Sequence, residues 1–186
     1  MSGATSTSTE WWRRQGSTDR RSVRTSTRGS VVPLFLDQIA NGGPVTLTLK
    51  EMTRFLLSLD RAADTIFAAF ETGRPGETYV PKVAAARMTD LADVLIDGRD
   101  IPIVYTGIRP GEKIHEIMVS EEERYRTIER GDYYVICPML PELQPEPIGH
   151  LALDAEYSSE QITLDHNGLR ELLAPHMEQQ YLGVPA

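Results

Sequence analysis

Arg109 and Glu112 stand three residues apart in the run Tyr105-Thr-Gly-Ile-Arg-Pro-Gly-Glu-Lys113. A planar guanidinium makes paired hydrogen bonds to a phosphate, and a carboxylate accepts from sugar hydroxyls. Arg54 heads the apolar run Thr53-Arg-Phe-Leu-Leu57. It needs a carboxylate, a phosphate or solvent, because a charge buried without a partner is costly. A third segment, Thr27-Arg-Gly-Ser-Val-Val-Pro33, runs a small loop into a helix start, where unpaired amides favour an anion. Two arginines and a helix terminus around one cleft suit a diphosphate on a hydroxyl-rich ligand. Each segment also has a plainer reading: a solvated ion pair on a surface loop, a solvated arginine, and an ordinary helix start capped by Ser30.

Other chemistries find no support. His115, His150, His166 and His176 are scattered without metal-ligand spacing. Ser158 and Ser159 lack a nucleophile-elbow context. Cys137 is the single cysteine, so no disulfide within the chain is possible, and its apolar surroundings predict burial. Neither Gly-x-Gly-x-x-Gly nor Gly-x-x-Gly-x-x-Gly occurs. Lys50, Lys82 and Lys113 are preceded four positions earlier by Thr46, Thr78 and Arg109, so there is no Tyr-x-x-x-Lys pair. No cofactor, metal or catalytic residue is therefore expected in this chain. A net charge of −8 and a pI near 5.0 argue against nonspecific nucleic-acid binding and against an anionic membrane surface. No apolar stretch approaches the roughly 20 residues of a membrane span, and the N-terminus lacks a secretory apolar core. A cytoplasmic location is expected.

The elements that must position these residues belong to one α/β body. With 186 residues, 40% of them hydrophobic, the chain is large enough for a core of its own. Residues 1–27 form a small, polar, locally basic leader containing Trp11-Trp-Arg-Arg14, and disorder is expected there. The body covers residues 28–137, and residues 138–186 make a proline-rich linker and a tail with one helix. Expected helices run over Val32–Ala40, over 59–72 after the cap Ser58, and over Asp90–Ile96 after the cap Thr89. In the second of these, Ala62, Ile66, Phe67 and Phe70 share one face, the pattern of a helix packed on a core. Expected strands are Pro44–Thr48, Thr53–Leu57, Glu77–Pro81, Ile101–Tyr105 and Tyr133–Cys137. Ile114, Ile117 and Met118 predict a helix from just after Gly111 into Glu121-Glu-Glu123, and Leu164–Leu173 predicts a last one. Strand, turn and helix in that order would set Arg109 and Glu112 at the mouth of a cleft.

Several of these runs come in a known order. Arg28-Gly-Ser-Val-Val-Pro-Leu-Phe35, Gly43-Pro-Val-Thr-Leu-Thr48, Met52-Thr-Arg-Phe55, Met88-Thr-Asp-Leu-Ala92 and Tyr105–Lys113 are similar to the C-terminal, substrate-binding half of the polysaccharide-biosynthesis nucleotide-sugar enzymes of the extended short-chain dehydrogenase/reductase superfamily. The likeness is to capsule-type UDP-N-acetylglucosamine 4,6-dehydratases/5-epimerases and UDP-sugar 4-epimerases, and it extends from about Thr27 to Leu173. It implies an α/β substrate-binding subdomain of short mixed strands and helices, with the Rossmann dinucleotide-binding half missing. It implies that Arg54 and Arg109 contact the diphosphate of a UDP-sugar and Glu112 the ribose. It implies further that Arg28, Gly29, Ser30 and Val31, with Val45, Thr46 and Thr48, line the uridine side.

The family uses NAD(P), bound by the half that this chain lacks together with the Tyr-x-x-x-Lys pair. The resemblance thus leaves two readings open. One is a UDP-sugar-binding part that works with an NAD(P)-domain partner chain or in a homo-oligomer. The other is a non-catalytic remnant acting at most as a weak UDP-sugar-binding or interaction module. The family also enters Arg28-Gly-Ser30 through a strand that Arg21-Ser-Val-Arg-Thr-Ser-Thr27 does not resemble, as in a gene fragment with an unrelated leader. Only Ile96-Asp-Gly-Arg-Asp100 stands between Leu95 and Ile101, so the helix there is expected to end at a turn.

Overall fold

A computed structural model describes residues 31–144 and 150–181, with side chains through residue 174. The expected leader, Trp11-Trp-Arg-Arg14, the loop Arg28-Gly-Ser30 and residues 145–149 lie outside the described residues. Helix α1 (Val31–Ala40) buries Phe35 and Ile39, one turn apart. It ends at Gly42 and Gly43, both at positive φ, and a Cβ on Gly43 would come within 2.6 Å of the Ile101 side chain. Strand β1 (Val45–Leu47) follows, then β2 (Thr53–Phe55) and helix α2 (Leu59–Thr72). Ser58 caps α2, its hydroxyl accepting the Arg61 N–H. Strands β3 (Thr78–Pro81) and β4 (Ala85–Arg87) lead into α3 (Met88–Ile96), which stops at Asp97 in the left-handed region. Then come β5 (Ile103–Tyr105), β6 (Ile117–Val119), α4 (Glu121–Arg124), β7 (Thr127–Arg130), β8 (Tyr133–Ile136), β9 (Tyr157–Ser158) and α5 (His166–Tyr181).

Among the described residues there are four small sheets. β1 pairs in parallel with β5, placing Val45 beside Ile103 and Leu47 beside Tyr105. β2 pairs antiparallel with β4, and β6 with β9. β3, β8 and β7 form an antiparallel three-stranded sheet in that order. The larger core joins α1, β1, α3 and α5 through Phe35, Val45, Leu91, Leu95, Leu169 and Leu173. α3 anchors it with Met88, Leu91, Ala92 and Leu95, the spacing of one helical face. Leu169 and Leu173 bring α5 into this same core, so the C-terminal helix packs on the body.

The smaller core gathers Val80, Val119, Ile136 and Tyr157, with Phe55 and Tyr134 against them. The Tyr157 hydroxyl donates to the Val83 carbonyl and accepts from the Val83 N–H, at 2.8 and 2.9 Å. Burial pushes the Tyr157 phenol up to about 12. Tyr157→Phe leaves both Val83 groups without this partner, and we expect a loss of about 2 kcal/mol in urea unfolding. The raised phenol also has a sign. Its contribution is complete below the ordinary tyrosine value near 10 and is lost as pH rises through about 12.

Three expectations are corrected. First, no helix follows Gly111: residues 112–116 are irregular and Ile117–Val119 is a strand. The i, i+3, i+4 spacing of Ile114, Ile117 and Met118 imitates a helix face. Pairing with β9 overrides it and leaves Ile117 exposed. The helix that does form, α4, is a single turn set by the capping box of Ser120 and Glu123. Second, Thr89 lies inside the first turn of α3 and does not cap it. The Met88 N–H is instead satisfied by the Met52 carbonyl at 2.9 Å. Third, Ile66, Phe67 and Phe70 of α2 do share a face, but it points outward. The side of α2 toward β3 carries Thr65, Ala69 and Thr72, whose hydroxyl meets that of Tyr79 at 2.9 Å.

Candidate functional site

Arg109-Pro-Gly-Glu112 is a reverse turn. Glu112 donates its N–H to the Arg109 carbonyl at 3.1 Å, with Gly111 at φ 84°. Proline second and a positive-φ glycine third are the type II pattern. The Glu112 carboxylate folds back on the turn. One oxygen accepts the Arg109 N–H at 3.1 Å and the other the Thr48 hydroxyl at 3.4 Å. Gly107 N–H donates to the Thr48 carbonyl and Thr106 N–H to that of Leu47, so the loop after β5 is fastened to the end of β1. The Arg109 side chain is exposed, while Thr48 and Glu112 are half-buried. Lys50 lies over the half-exposed Tyr105 ring, 5.4 Å from its centre, adding a cation and an aromatic face to the same end of the β1–β5 pair.

Thr48, Arg109 and Glu112 thus come together, positioned by the parallel register of β1 on β5. Thr46 does not join them: its hydroxyl and N–H are both taken by the Gln38 side chain, at 2.7 and 3.0 Å. Val45 is fully buried in the core. Val31 opens α1, and Arg28, Gly29 and Ser30 are outside the described residues. Arg54 serves the other end of the loop. Its guanidinium donates to the carbonyls of Thr53, Lys113 and Ile114 at 2.7, 2.8 and 3.0 Å, with Glu116 3.5 Å from Nε. It is therefore a positioning residue for the segment that follows the Arg109 turn. Arg54→Ala should lower stability by about 2 kcal/mol in urea unfolding, since charge-assisted bonds are lost while the group is partly screened. Lysine at 54 should not restore it, because one ammonium cannot replace a planar fork.

Next to Arg54 lies a buried hydroxyl relay that no sequence signal announced. Thr53 Oγ1 meets Ser159 Oγ at 2.6 Å and His115 Nδ1 at 2.8 Å, and the Ser159 hydroxyl accepts the Glu116 N–H at 2.9 Å. His115 is a loop residue and no part of a helix; Glu160 stands 3.8 Å from its Nε2. The set contains a serine, a histidine and an acid, but Ser159 and Thr53 are buried beyond reach of a solvent-borne substrate. Its effect is to pin β2, the 113–116 loop and the end of β9 to one another. Asp90, Asp93 and His166 bring one donor atom each within 4.8 Å of one another. Two of the three are exposed, as in a surface charge cluster. Among the described residues no helix is long and apolar enough to cross a membrane.

The family model described as polysaccharide biosynthesis protein matches residues 20–138. A UDP-N-acetylglucosamine 4,6-dehydratase (inverting) of Campylobacter jejuni is 40% identical over 116 residues, which are 61% of this chain and 34% of that protein. A UDP-glucose 4-epimerase of Rickettsia canadensis is 42% identical over 113 residues, 60% of this chain and 33% of that one. An uncharacterized membrane protein of Methanocaldococcus jannaschii is 38% identical over 122 residues, covering 37% of its length. Among solved structures, Pen from Bacillus thuringiensis superposes with a TM-score of 0.71 at 30% identity, over 80% of this chain and 46% of that one. The chain spans about a third of the length of the curated relatives it matches. By these matches the chain belongs to the polysaccharide-biosynthesis family of extended short-chain dehydrogenase/reductase sugar dehydratases and epimerases, of which it represents a part.

Proposed function

We propose that the chain is the UDP-sugar-binding part of a nucleotide-sugar 4,6-dehydratase or epimerase of polysaccharide biosynthesis, without activity on its own. The observation that supports this most is the rim where an exposed Arg109 stands over a turn braced by Glu112 and Thr48. Arg109 offers a diphosphate two parallel N–H groups. Glu112 still has lone pairs for a ribose hydroxyl, and its hold on the Arg109 N–H sets the distance between the two groups. The exposed Tyr105 face and Lys50 extend the rim with a stacking surface for a base and a second positive charge. Arg54 acts at one remove, by fixing the carbonyls of Lys113 and Ile114.

Chemistry at a sugar C4 in this family needs a nicotinamide and a base. This chain has neither the glycine-rich loop nor the Tyr-x-x-x-Lys pair, and its residues do not fit the NAD(P) group. No step of the reaction is therefore assigned to them. Titration calorimetry tests the reading. UDP-N-acetylglucosamine and UDP-glucose should give binding heat with micromolar dissociation constants, and NADP⁺ none. Heat from the dinucleotide but not from the UDP-sugars would refute it.

A further inference from the structure

Asp90, Asp93 and His166 have the exposure of surface charge, but neither its composition nor its spacing. The two aspartates stand one turn apart on α3, so their carboxylates share a helix face. His166 is the first residue of α5, far along the sequence, which is why local spacing gave no sign of the set. The larger core brings it there: Leu169 and Leu173 of α5 join Leu91 and Leu95 of α3. Asp165 caps α5, its Oδ1 accepting the Gly168 N–H at 2.8 Å, and so fixes where the helix and its first side chain begin. One imidazole nitrogen and two carboxylate oxygens then lie within 4.8 Å of one another. Among the described residues these donors do not satisfy each other. His166 forms no hydrogen bond or ion pair with either acid, and neither acid has a basic partner. The one bond at the cluster is the Thr89 hydroxyl donating to Asp90 Oδ1 at 3.4 Å. Arg170, one turn beyond His166, is engaged with Asp97 at 3.4 Å instead. Asp90 in the first turn of α3 suits that helix's positive end. Asp93 lies a turn too far for that account, and an imidazole has no part in it.

We propose that Asp90, Asp93 and His166 hold one divalent transition-metal ion, with zinc the best match, and that the ion clips the start of α5 to α3. Like charges one turn apart repel, and a cation between them turns that repulsion into attraction. With metal–ligand bonds of roughly 2.0–2.2 Å, donor atoms around one ion stand about 3 to 4 Å apart. The set is therefore too open for hydrogen bonds yet close to the span that an ion bridges, and rotation of the exposed side chains closes the rest. The imidazole nitrogen selects the metal: zinc accepts mixed nitrogen and oxygen donors, whereas magnesium and calcium take oxygen. Three protein ligands leave the remaining coordination to water, as the exposure of Asp93 and His166 allows. The consequence is structural. The ion adds a link between two helices otherwise joined by their leucines and by Arg170 on Asp97. The site uses no residue of the Arg109 rim, so it stands or falls independently of the UDP-sugar reading.

Calorimetric titration of the full chain with zinc chloride, after removal of metal by a chelator and dialysis, provides the test. One ion per chain with a micromolar dissociation constant is expected, undisturbed by millimolar magnesium. His166→Ala and Asp93→Asn should each weaken zinc binding about 30-fold or more, at least the loss that follows removal of an outer-shell partner. Both positions are exposed, so the metal-free variants should unfold in urea as the metal-free wild type does. Zinc at a hundredfold excess over its dissociation constant should raise the Tm of the wild type by about 5 °C and leave both variants unmoved. Cobalt(II), a paramagnetic substitute for zinc, should broaden amide signals around Asp90, Asp93 and His166 first. No saturable heat at millimolar zinc overturns the proposal. So does zinc binding that survives both substitutions, since other groups would then hold the ion, and so does equal binding of magnesium. A metal-free chain destabilised equally by the two substitutions also overturns it, because the three residues would then pair with one another and need no cation.

Discussion

Arg130→Ala should destabilise the chain by about 4 kcal/mol, the largest loss expected from one side chain outside the cores. Its guanidinium holds Glu77 with two parallel bonds of 2.8 Å each, and it also donates to the Thr72 carbonyl at 3.1 Å and to the Tyr79 hydroxyl. This one cation therefore ties the end of α2 to β3 and β7. The Glu77 side chain is only 1% exposed, so removing Arg130 strands a carboxylate out of water. The pH dependence gives a second readout. In the native chain burial acts to raise the Glu77 carboxyl, while the Arg130 bonds, the Arg74 N–H and both arginine charges act to lower it. Together they hold it below the usual carboxylate range. A depressed acid stabilises the fold above its unfolded value, and that contribution disappears as pH falls through the native one. Without Arg130 its bonds and charge no longer favour the carboxylate, so the gap between variant and wild type should narrow as pH falls through the carboxylate range. Urea unfolding at neutral and acidic pH measures both effects.

Arg109→Ala should do the opposite: unfolding changes by less than about 0.5 kcal/mol, as at an exposed position, while UDP-sugar affinity falls about 30-fold or more with loss of a charge-assisted fork. Glu112→Ala is not so cleanly separable. Its carboxylate braces both Arg109 and Thr48, so stability and affinity should fall together. Calorimetry beside denaturation on the two variants tells a ligand-contacting residue from one that shapes its loop.

What the sequence made legible was local. Ser58 and the glycines at 42, 43 and 73 bound their helices because caps and stops act within a few residues. The strands β1, β2, β3, β5 and β8 carry enough β-branched or aromatic residues to stand out. β4 and β7 do not, because Ala85-Ala-Arg87 and Thr127-Ile-Glu-Arg130 are strands only by virtue of β2 and β8 beside them. The false helix after Gly111 has the same origin. A local period of 3.6 loses to backbone pairing with residues some 40 positions away, such as Ser158 opposite Ile117.

The site was legible in residue types more than in roles. Arg109 and Glu112 stood out as a cation and an acid on a turn, and the structure adds Thr48 to them. Arg54 stood out as a cation needing partners, and within the chain these are the carbonyls of Thr53, Lys113 and Ile114 and the Glu116 carboxylate. Gln38 locking Thr46, and Thr53 meeting Ser159 106 positions later, left no trace in any local pattern. The outward turn of the α2 stripe was hidden for a related reason. Periodicity shows that a helix has an apolar face, but not which neighbour covers it.

The central claim is that the turn at Arg109 and the end of β1 hold a UDP-sugar. Mapping backbone amide shifts of the labelled chain during titration with UDP-N-acetylglucosamine tests it most directly. The largest saturable shifts are expected at Thr48, Gly107, Arg109, Gly111 and Glu112, with the outer residues of α2 unmoved. No saturable shift at millimolar ligand, or shifts confined to another surface, would contradict it.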